Sequence, residues 1–450
     1  MTPPSAPQTA QAAAKAAVSF TAARAPFRPR QHFDVSSDIP RSFFLGHHYA
    51  GLARMKQTLA TVGLIIECRD FRVPITSWNP LLEQSLAPSN NNNNPSDRQR
   101  IIVYTHRDLG PDDRIPGARN GRRGGGTISD LTARHLRDFH LRKGHAAEVL
   151  FTSAAGNSGT SGAGPLLAAI KDVARARDSL TGLRCLVVGM PNAGKSTLLN
   201  ALRRRGMGQN VAKVAKTGAQ PGVTRKLSSP VRIVPGEDSA AAAAASAAGH
   251  GEDLHGMGEG VFLVDTPGVF IPYITDPEKM LKLALVGCVR DGILPREILA
   301  DYLLYQLNRV RDFGISSNSH DTDTDTDSPP PEEQDQQRPP LYISRLNLPG
   351  PTNDVTEFLT AVAKRFGKLS KGGLPDLDAA AEWVVQEFRR GGLGKVLMDD
   401  VTPETLSQAA EELARMATGE DGAPMSLSQA RKREKEARKA RRLARGGEED

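Results

Sequence analysis

Short apolar runs alternate with stretches of helical periodicity through the first part of the chain. The apolar runs have the length and composition of buried strands and lie at 62–68, 101–104, 148–152, 183–188 and 261–264. Apolar residues recur at helical spacing in 50–59, 128–141, 166–177 and 198–205. This alternation predicts an α/β fold, with a mainly parallel sheet and helices on both faces.

The second part of the chain has only helical patterns. They lie at 280–289, 297–310, 355–366 and 376–388. We therefore predict four regions. Residues 1–33 form an N-terminal leader, residues 34–275 an α/β domain, residues 276–400 a helical C-terminal domain and residues 401–450 a C-terminal tail.

Four polar or low-complexity stretches interrupt these domains. Segments 88–96, 117–126 and 236–260 are rich in Asn, Gly or Ala and are predicted to be loops, and 316–340 is an acidic, proline-rich linker. Asp321, Asp323 and Asp325, with Glu332 after them, follow the ligand spacing of a calcium loop. Thr326 occupies the glycine position of that loop, and prolines follow it, so we predict a solvated linker.

Charge and cysteine content suggest a location and a partner. The net charge is +7, which favours an acidic partner such as nucleic acid, and residues 1–33 contain no Asp or Glu. A basic, Ser/Ala-rich, acid-free N-terminus is typical of a mitochondrial transit peptide, although a disordered tail has similar composition. The three cysteines are isolated, which indicates reduced thiols and no zinc site. No apolar run is long enough to span a membrane.

The C-terminal tail carries a strongly basic stretch. Residues 431–445 contain nine basic residues and two Glu, with high helical propensity and no aromatic residue. As a binding element this stretch would contact phosphates without reading bases. A free solvated helix has the same composition, and both interpretations remain open.

A glycine-rich loop follows the apolar run at 183–188. Residues 189–196 read G-x-x-x-x-G-K-S, and a helical pattern begins directly after them. Strand, loop and helix in this order define a phosphate-binding P-loop, whose backbone N–H groups surround the phosphates. Lys195 is placed to reach the β- and γ-phosphates, and the Ser196 hydroxyl is placed to bind Mg²⁺.

Two short motifs after the P-loop complete a nucleotide switch. The strand at 261–264 ends in Asp265-Thr266-Pro267-Gly268, the D-x-x-G pattern in which Asp holds Mg²⁺ and the Gly N–H meets the γ-phosphate. Thr224, in a P-G-x-T segment, is placed to complete the Mg²⁺ shell. The chain then enters the helical domain, so we hypothesise that GTP orders this segment and sets the orientation of that domain.

The base-recognition motifs come before the P-loop. Asp108 is suited to accept hydrogen bonds from the guanine N1–H and N2–H₂ groups, in a pattern that resembles the N/T-K-x-D motif of GTPases. Ser153-Ala154 resembles the S-A element that contacts guanine O6. In ordinary GTPases both motifs follow the P-loop, so their order here is permuted.

This order resembles the circularly permuted GTPases of the ribosome-biogenesis GTPase A family, and most closely their fungal mitochondrial ribosome-assembly branch. The resemblance spans roughly residues 43–310 and includes D-F-R-V-P at 70–74, in place of the family's D-A-R-I-P. It implies GTP hydrolysis and action on the large mitochondrial ribosomal subunit, through its rRNA and proteins. It also implies peripheral association with the matrix side of the inner mitochondrial membrane.

The resemblance also implies roles for particular residues. Thr105 and His106 replace the usual Asn and Lys, so we expect GTP specificity with weaker affinity. Val269 stands where some GTPases carry a water-orienting Gln, and the resemblance implies instead that Asn192 helps to hold K⁺. The predicted catalytic residues are Lys195, Asn192 and Gly268. The predicted nucleotide-binding residues are Thr105, His106, Arg107, Asp108, Ser153, Ala154, Asn192, Ala193, Gly194, Lys195, Ser196, Thr197 and Gly268. The predicted metal ligands are Ser196, Thr224 and Asp265 for Mg²⁺, and Asn192 for K⁺.

Two alternatives to a mitochondrial GTPase enzyme remain open from the sequence. One is a pseudo-GTPase that holds nucleotide structurally and binds RNA through its basic tail. The other is a permuted GTPase that acts outside mitochondria. The intact phosphate-side residues favour the enzyme, and the acid-free N-terminus favours mitochondria.

Overall fold

A computed structural model describes most of the two predicted domains. The described residues are 27–35, 39–40, 55–86, 98–112, 126–153, 162–208, 211–215, 218, 228–237, 255–271, 274, 276–309 and 341–418. The three predicted loops lie outside them, apart from Gly126 and the ends of 236–260, as do residues 1–26, the acidic linker and the basic stretch at 431–445.

A six-stranded sheet forms the centre of the α/β domain. Its strands are β1 (Leu64–Asp70), β2 (Gln99–Thr105), β3 (Glu148–Phe151), β4 (Leu183–Gly189), β5 (Val231–Val234) and β6 (Val261–Asp265). Their spatial order is β3-β2-β1-β4-β6-β5, and only β5 runs antiparallel to its neighbour. The predicted α/β fold with a mainly parallel sheet is therefore confirmed.

Helices cover both faces of this sheet. One face packs against α3 (Ala163–Arg177) and α4 (Lys195–Met207), through residues such as Leu166 and Leu198. The opposite face is covered by α1 (Pro80–Leu86), α2 (Ile128–Arg142) and the helical residues 55–59. Continuous burial of β1 on both faces explains why its sequence lacks the alternation of a half-exposed strand.

Parallel pairing brings the ends of the strands to one edge of the sheet. Asp70 at the end of β1 pairs with Thr105 at the end of β2. Gly189, which ends β4, pairs with Cys68, and Asp265, which ends β6, pairs with Val187. The D-F-R-V-P, base-recognition and D-x-x-G motifs follow these ends and the P-loop begins at one of them, so these four motifs converge where α/β proteins bind ligands.

The C-terminal region is helical, as predicted. It comprises α5 (Pro277–Leu285), α6 (Arg296–Arg309), α7 (Leu341–Leu346), α8 (Val355–Phe366), α9 (Leu377–Arg389) and α10 (Pro403–Thr418). Asp276, Asp354 and Asp376 accept hydrogen bonds from the first N–H groups of α5, α8 and α9. Their carboxylates therefore fix where these helices begin.

The helical region shares its core with the α/β domain. The largest apolar cluster joins α5, α6, α8 and α9 to Val73, Met190 and Phe270. Met190 belongs to the P-loop, and Phe270 follows the D-x-x-G segment. The helices next to the nucleotide motifs therefore do not form a separately packed body.

Two segments at the predicted boundaries pack onto the body of the protein. Residues 401–418, predicted as part of a tail, include α10, whose Leu406 joins an apolar cluster with Phe71 and Trp78. Residues 27–33, predicted as part of the leader, contact α6, because Arg30 pairs with Asp301 and the Phe33 ring lies 5.1 Å from that of Tyr302. Burial of apolar side chains at both places explains the difference.

Strand β5 and the end of the 236–260 segment also differ from the prediction. Residues 231–234 contain Arg232 between apolar residues, and this short strand was not predicted. Met257, inside the predicted loop, is fully buried against the sheet, and its N–H donates to Glu237 Oε1 at 2.8 Å. The three cysteines are buried, and none of the helices in the described ranges has the length and hydropathy of a membrane span.

Asp399, in the C-terminal region, connects that region to the residues that follow β1, and it provides a test of this connection. Its buried carboxylate accepts from the N–H groups of Ile75 and Thr76, at 2.9 and 2.7 Å. Asp399→Ala removes the acceptor of the buried Thr76 N–H and hydroxyl and of the half-buried Ile75 N–H, so we expect it to lower the free energy of unfolding by about 3 kcal/mol. Guanidinium unfolding measures this change, and the exposed neighbour Asp400, changed to Ala, is the control. Equal midpoints for the two variants would contradict the role of Asp399.

Candidate nucleotide site

The P-loop folds tightly between β4 and α4. Gly189 and Gly194 have φ angles of 144° and 76°, in the region that favours glycine. A Cβ on Gly189 would lie 2.3 Å from the Cys68 carbonyl oxygen, so only glycine fits beside β1. The loop then meets the start of α4, where backbone N–H groups are available to phosphate oxygens.

Lys195 and Ser196 begin α4 and point towards the end of β6. Ser196 Oγ donates to Asp265 Oδ2 at 2.6 Å, and Lys195 Nζ donates to the Met190 carbonyl at 2.6 Å. Burial lowers the pKa of Lys195, and the nearby Asp265 opposes that shift. Burial also raises the pKa of Asp265, against the Ser196 hydrogen bond and the Lys195 charge. The structure thus brings three predicted phosphate-side residues together.

One carboxylate oxygen of Asp265 is suited to bind a cation. Its Oδ1 atom is buried and has no hydrogen-bond partner among the described residues. A buried carboxylate oxygen without a donor is costly, and Mg²⁺ prefers carboxylate and hydroxyl oxygens as ligands. Asp265 and Ser196 therefore fit Mg²⁺. Thr224, the third predicted ligand, lies outside the described residues.

The D-x-x-G segment lies directly against the P-loop. Thr266 Oγ1 donates to the Val187 carbonyl at 2.7 Å, and the Val269 N–H donates to the Gly189 carbonyl at 3.1 Å. A Cβ on Gly268 would approach Pro191 to 2.6 Å. The predicted phosphate sensor Gly268 is consequently held beside the P-loop, with no room for a side chain.

The base-recognition loop contacts the P-loop from the other side. Thr105 Oγ1 lies 3.1 Å from the Arg69 carbonyl oxygen and 3.2 Å from that of Ala193. A hydroxyl has one proton, so Thr105 donates to one of these carbonyls at a time. Asp108 follows in a single helical turn, and its Oδ1 atom is buried without a hydrogen-bond partner in the part of the chain described. That oxygen suits the donors of a guanine base.

His106 is fixed by an ion-pair network that the sequence pattern did not reveal. Its backbone is left-handed, with φ 58°, and its Nδ1 atom lies 3.2 Å from Asp70 Oδ2. Arg72 donates to both oxygens of Asp70, at 3.0 and 2.7 Å. Burial alone would raise the pKa of Asp70, but Arg72 and His106 outweigh it and hold the pKa well below the usual range. The D-F-R-V-P segment therefore holds the base loop.

The remaining predicted nucleotide-binding residues are Arg107, Ser153, Ala154 and Thr197. The Arg107 side chain pairs with Asp130 at 2.6 Å and lies over the Phe71 ring, so it supports the loop from outside. Ser153 is half-buried after β3, Thr197 is exposed on α4, and Ala154 lies outside the described residues.

Asn192 connects the P-loop with the helical region. Its backbone is left-handed, with φ 57°, and its Nδ2 atom donates to the Gly287 carbonyl at 2.7 Å. Gly287 follows α5, and no motif marked it, because a contact across 95 positions leaves no local sequence pattern. The helical region therefore takes part in the geometry of the P-loop.

The fold and the site together define a P-loop GTPase whose base-recognition motifs precede the P-loop. A family profile described as "50S ribosome-binding GTPase" matches residues 184–309. "Mitochondrial GTPase 1" of Schizosaccharomyces pombe is 30% identical over 382 residues, which cover 84% of this chain and 95% of that protein. The chain belongs to this family of mitochondrial GTPases.

Other relatives and a solved structure are also similar. "Mitochondrial ribosome-associated GTPase 1" of Xenopus tropicalis is 27% identical over 82% of this chain and 98% of that protein. The crystal structure of GNP-bound YlqF from T. maritima is 19% identical, with a TM-score of 0.40, and the match covers 77% of this chain and 96% of that one.

Asp108 provides a test of base recognition. Asp108→Asn replaces an acceptor-only side chain with one that also donates, so we expect preference to move from GTP towards XTP by at least about tenfold, since a mismatched polar contact costs ~1–3 kcal/mol. Competition binding with fluorescent nucleotides measures this preference. Asp112→Asn, an exposed change in the same loop, is the control. Unaltered GTP preference in Asp108→Asn would refute the assignment.

Proposed function

We propose that this mitochondrial GTPase acts in maturation of the large mitochondrial ribosomal subunit and so supports mitochondrial translation. The name of the Xenopus relative and the description of the matching family both refer to ribosomes. The observation that carries the proposal is the contact between nucleotide motifs and helices. The D-x-x-G segment leads directly into α5, and the P-loop holds Gly287 after α5.

GTP hydrolysis is assigned to residues at the edge of the sheet. Asp108 recognises guanine, and Thr105, His106, Ser153 and Ala154 are the other residues proposed for base recognition. Lys195 and the N–H groups of residues 192–197 hold the phosphates, and the Gly268 N–H contacts the γ-phosphate. Ser196, Asp265 and Thr224 are the proposed Mg²⁺ ligands. The cation supplies positive charge to the phosphate oxygens when bound.

The position after Gly268 does not provide a water-orienting side chain. Val269 is buried, and its carbonyl accepts from Asn79 Nδ2 at 2.8 Å, so this residue is held in the core. We assign part of the missing stabilisation to K⁺, with the Asn192 amide oxygen as a ligand. The Asn192 N–H₂ group donates to the Gly287 carbonyl, and of the two ends of the amide only the oxygen can bind a cation. Unstimulated turnover is then slow, on the order of 10⁻⁴ s⁻¹.

A matrix location follows from the same proposal. The acid-free segment before Phe27 acts as the transit peptide, and the protein associates peripherally with the matrix side of the inner membrane. Since residues 27–33 contact α6, cleavage of the leader occurs upstream of them. The basic stretch at 431–445 contacts phosphates of rRNA.

Turnover with purified subunits tests the function. We expect large mitochondrial ribosomal subunits to raise GTP hydrolysis at least about a hundredfold in K⁺, and much less in Na⁺, because the partner supplies part of the transition-state stabilisation. Lys195→Ala abolishes the stimulated rate, whereas the exposed Lys213, changed to Ala, leaves it unchanged. Fast turnover without subunits or K⁺ would refute this mechanism. Nucleotide binding without hydrolysis under every condition would indicate a pseudo-GTPase instead.

Distance measurements test the coupling to the helical region. Spin labels at Asp172→Cys on α3 and Lys371→Cys after α8 occupy exposed positions, and the native cysteines are buried. We expect the distance distribution to differ between a GTP analogue and GDP by a few ångströms, the scale of helix shifts in such transitions. Identical distributions in both nucleotides would contradict the coupling.

A further inference from the structure

An arginine that is mostly shielded from solvent, with 10% of its side chain exposed, fixes the carbonyl groups that end α5. Arg389, at the end of α9, donates from Nη2 to the Ala284 carbonyl at 2.8 Å and from Nε to the Leu285 carbonyl at 3.0 Å. Asp291 binds the same guanidinium at 2.8 and 3.1 Å. The planar guanidinium therefore joins one helix end to another with defined geometry.

Gly287 lies where this arrangement meets the P-loop. Its backbone is left-handed, with φ 81°, and its N–H donates to the Ala284 carbonyl at 3.0 Å. A Cβ on Gly287 would lie 3.2 Å from Asn192 Nδ2 and 3.4 Å from Arg389 Nε. In space, Gly287 thus lies between Arg389 of the helical region and Asn192 of the P-loop.

The Gly287 carbonyl determines which end of the Asn192 amide faces it. A carbonyl only accepts hydrogen bonds, so it selects the N–H₂ end of the amide over the oxygen end. A rotation of about 180° about χ2 would exchange these two ends. Only the oxygen end can serve as a ligand for a cation, because the N–H₂ group has no lone pair to offer.

We infer that Arg389 and Asp291 are positioning residues for the cation ligand of the GTPase site. They hold the turn after α5 so that the Gly287 carbonyl orients the Asn192 amide, and the helical region thereby sets the affinity for K⁺. This inference rests on the proposed role of Asn192 in K⁺ binding. Asp291 neutralises Arg389, so the pair orients the ligand without adding a positive charge that would repel the cation.

The ion dependence of nucleotide binding tests the inference. A non-hydrolysable fluorescent GTP analogue is bound at increasing K⁺, with ionic strength held constant by tetramethylammonium chloride. We expect the K⁺ concentration for half-maximal tightening to rise about fivefold in Arg389→Gln and in Asp291→Asn, the size of one lost orienting hydrogen bond. Affinity for the analogue without K⁺ stays unchanged, since the phosphate-binding groups are intact.

The neighbouring arginine provides the matched control. Arg390 directly follows α9, but it is exposed and pairs with Glu387 at 3.8 Å, so Arg390→Gln leaves the K⁺ dependence as in the wild type. Circular dichroism and melting temperature establish that each variant is folded, and Asp291→Asn preserves side-chain volume if Arg389→Gln fails to fold.

Three results would overturn the inference. They are an unchanged K⁺ dependence in folded Arg389→Gln and Asp291→Asn, an equal shift in Arg390→Gln, and an equal loss of affinity without K⁺. The K⁺ dependence of the wild-type protein distinguishes failure of this inference from failure of the proposed function. If binding to the wild-type protein ignores K⁺, then the K⁺ role itself is wrong, whereas a wild-type response that the variants retain rejects only the positioning role.

Discussion

Parallel pairing of β1, β2, β4 and β6 is the constraint on which the nucleotide site depends. Their carboxyl ends meet at one edge of the sheet, so the residues that follow each strand converge irrespective of their order in the chain. A base-recognition loop after β2 can therefore precede the P-loop in sequence and still lie against it. The contact between Thr105 and Ala193 shows this convergence.

The same convergence explains how a permuted GTPase differs from one in the usual order. The chain does not return to the sheet after the D-x-x-G segment but continues into α5. The helices that follow pack against Met190 and Phe270, next to the phosphate-side motifs. They contact the P-loop itself, because the Asn192 side chain donates a hydrogen bond to the Gly287 carbonyl. The phosphate-side motifs and the helices that follow them are therefore in direct contact.

Local patterns predicted the elements whose signals are local. The strands at the sheet centre are continuous apolar runs, and the P-loop needs a glycine pattern that few other structures require. Strand β5 was not predicted, because a strand of four residues that includes Arg232 is too short and too polar to give a clear signal. Helix α10 was assigned to the tail because its apolar residues pack against distant parts of the chain, near Phe71 and Trp78.

The contacts that complete the site are non-local and had no sequence signal. Asp70 and Arg72 were noted only as part of a family segment. The contact of Asp70 with His106 depends on the pairing of β1 with β2. Gly287 reaches the P-loop across 95 positions, and Arg389 reaches the end of α5 across about a hundred, and no short motif encodes either contact. Side-chain chemistry could thus be predicted at the strand ends, whereas its orientation could not.

The second junction between the regions has a mechanical consequence. The polypeptide leaves the sheet after Asp265, passes through the helices, and returns so that Asp399 binds residues 75 and 76 and α10 covers α1. Helices α5 to α9 therefore lie between two places where the chain meets the α/β domain, the end of β6 and the hydrogen bonds of Asp399. These helices also share an apolar core with Met190 and Phe270, so they are restrained against the sheet along their length as well as at both attachments. A displacement of the D-x-x-G segment is therefore borne by packed side chains rather than absorbed by a linker.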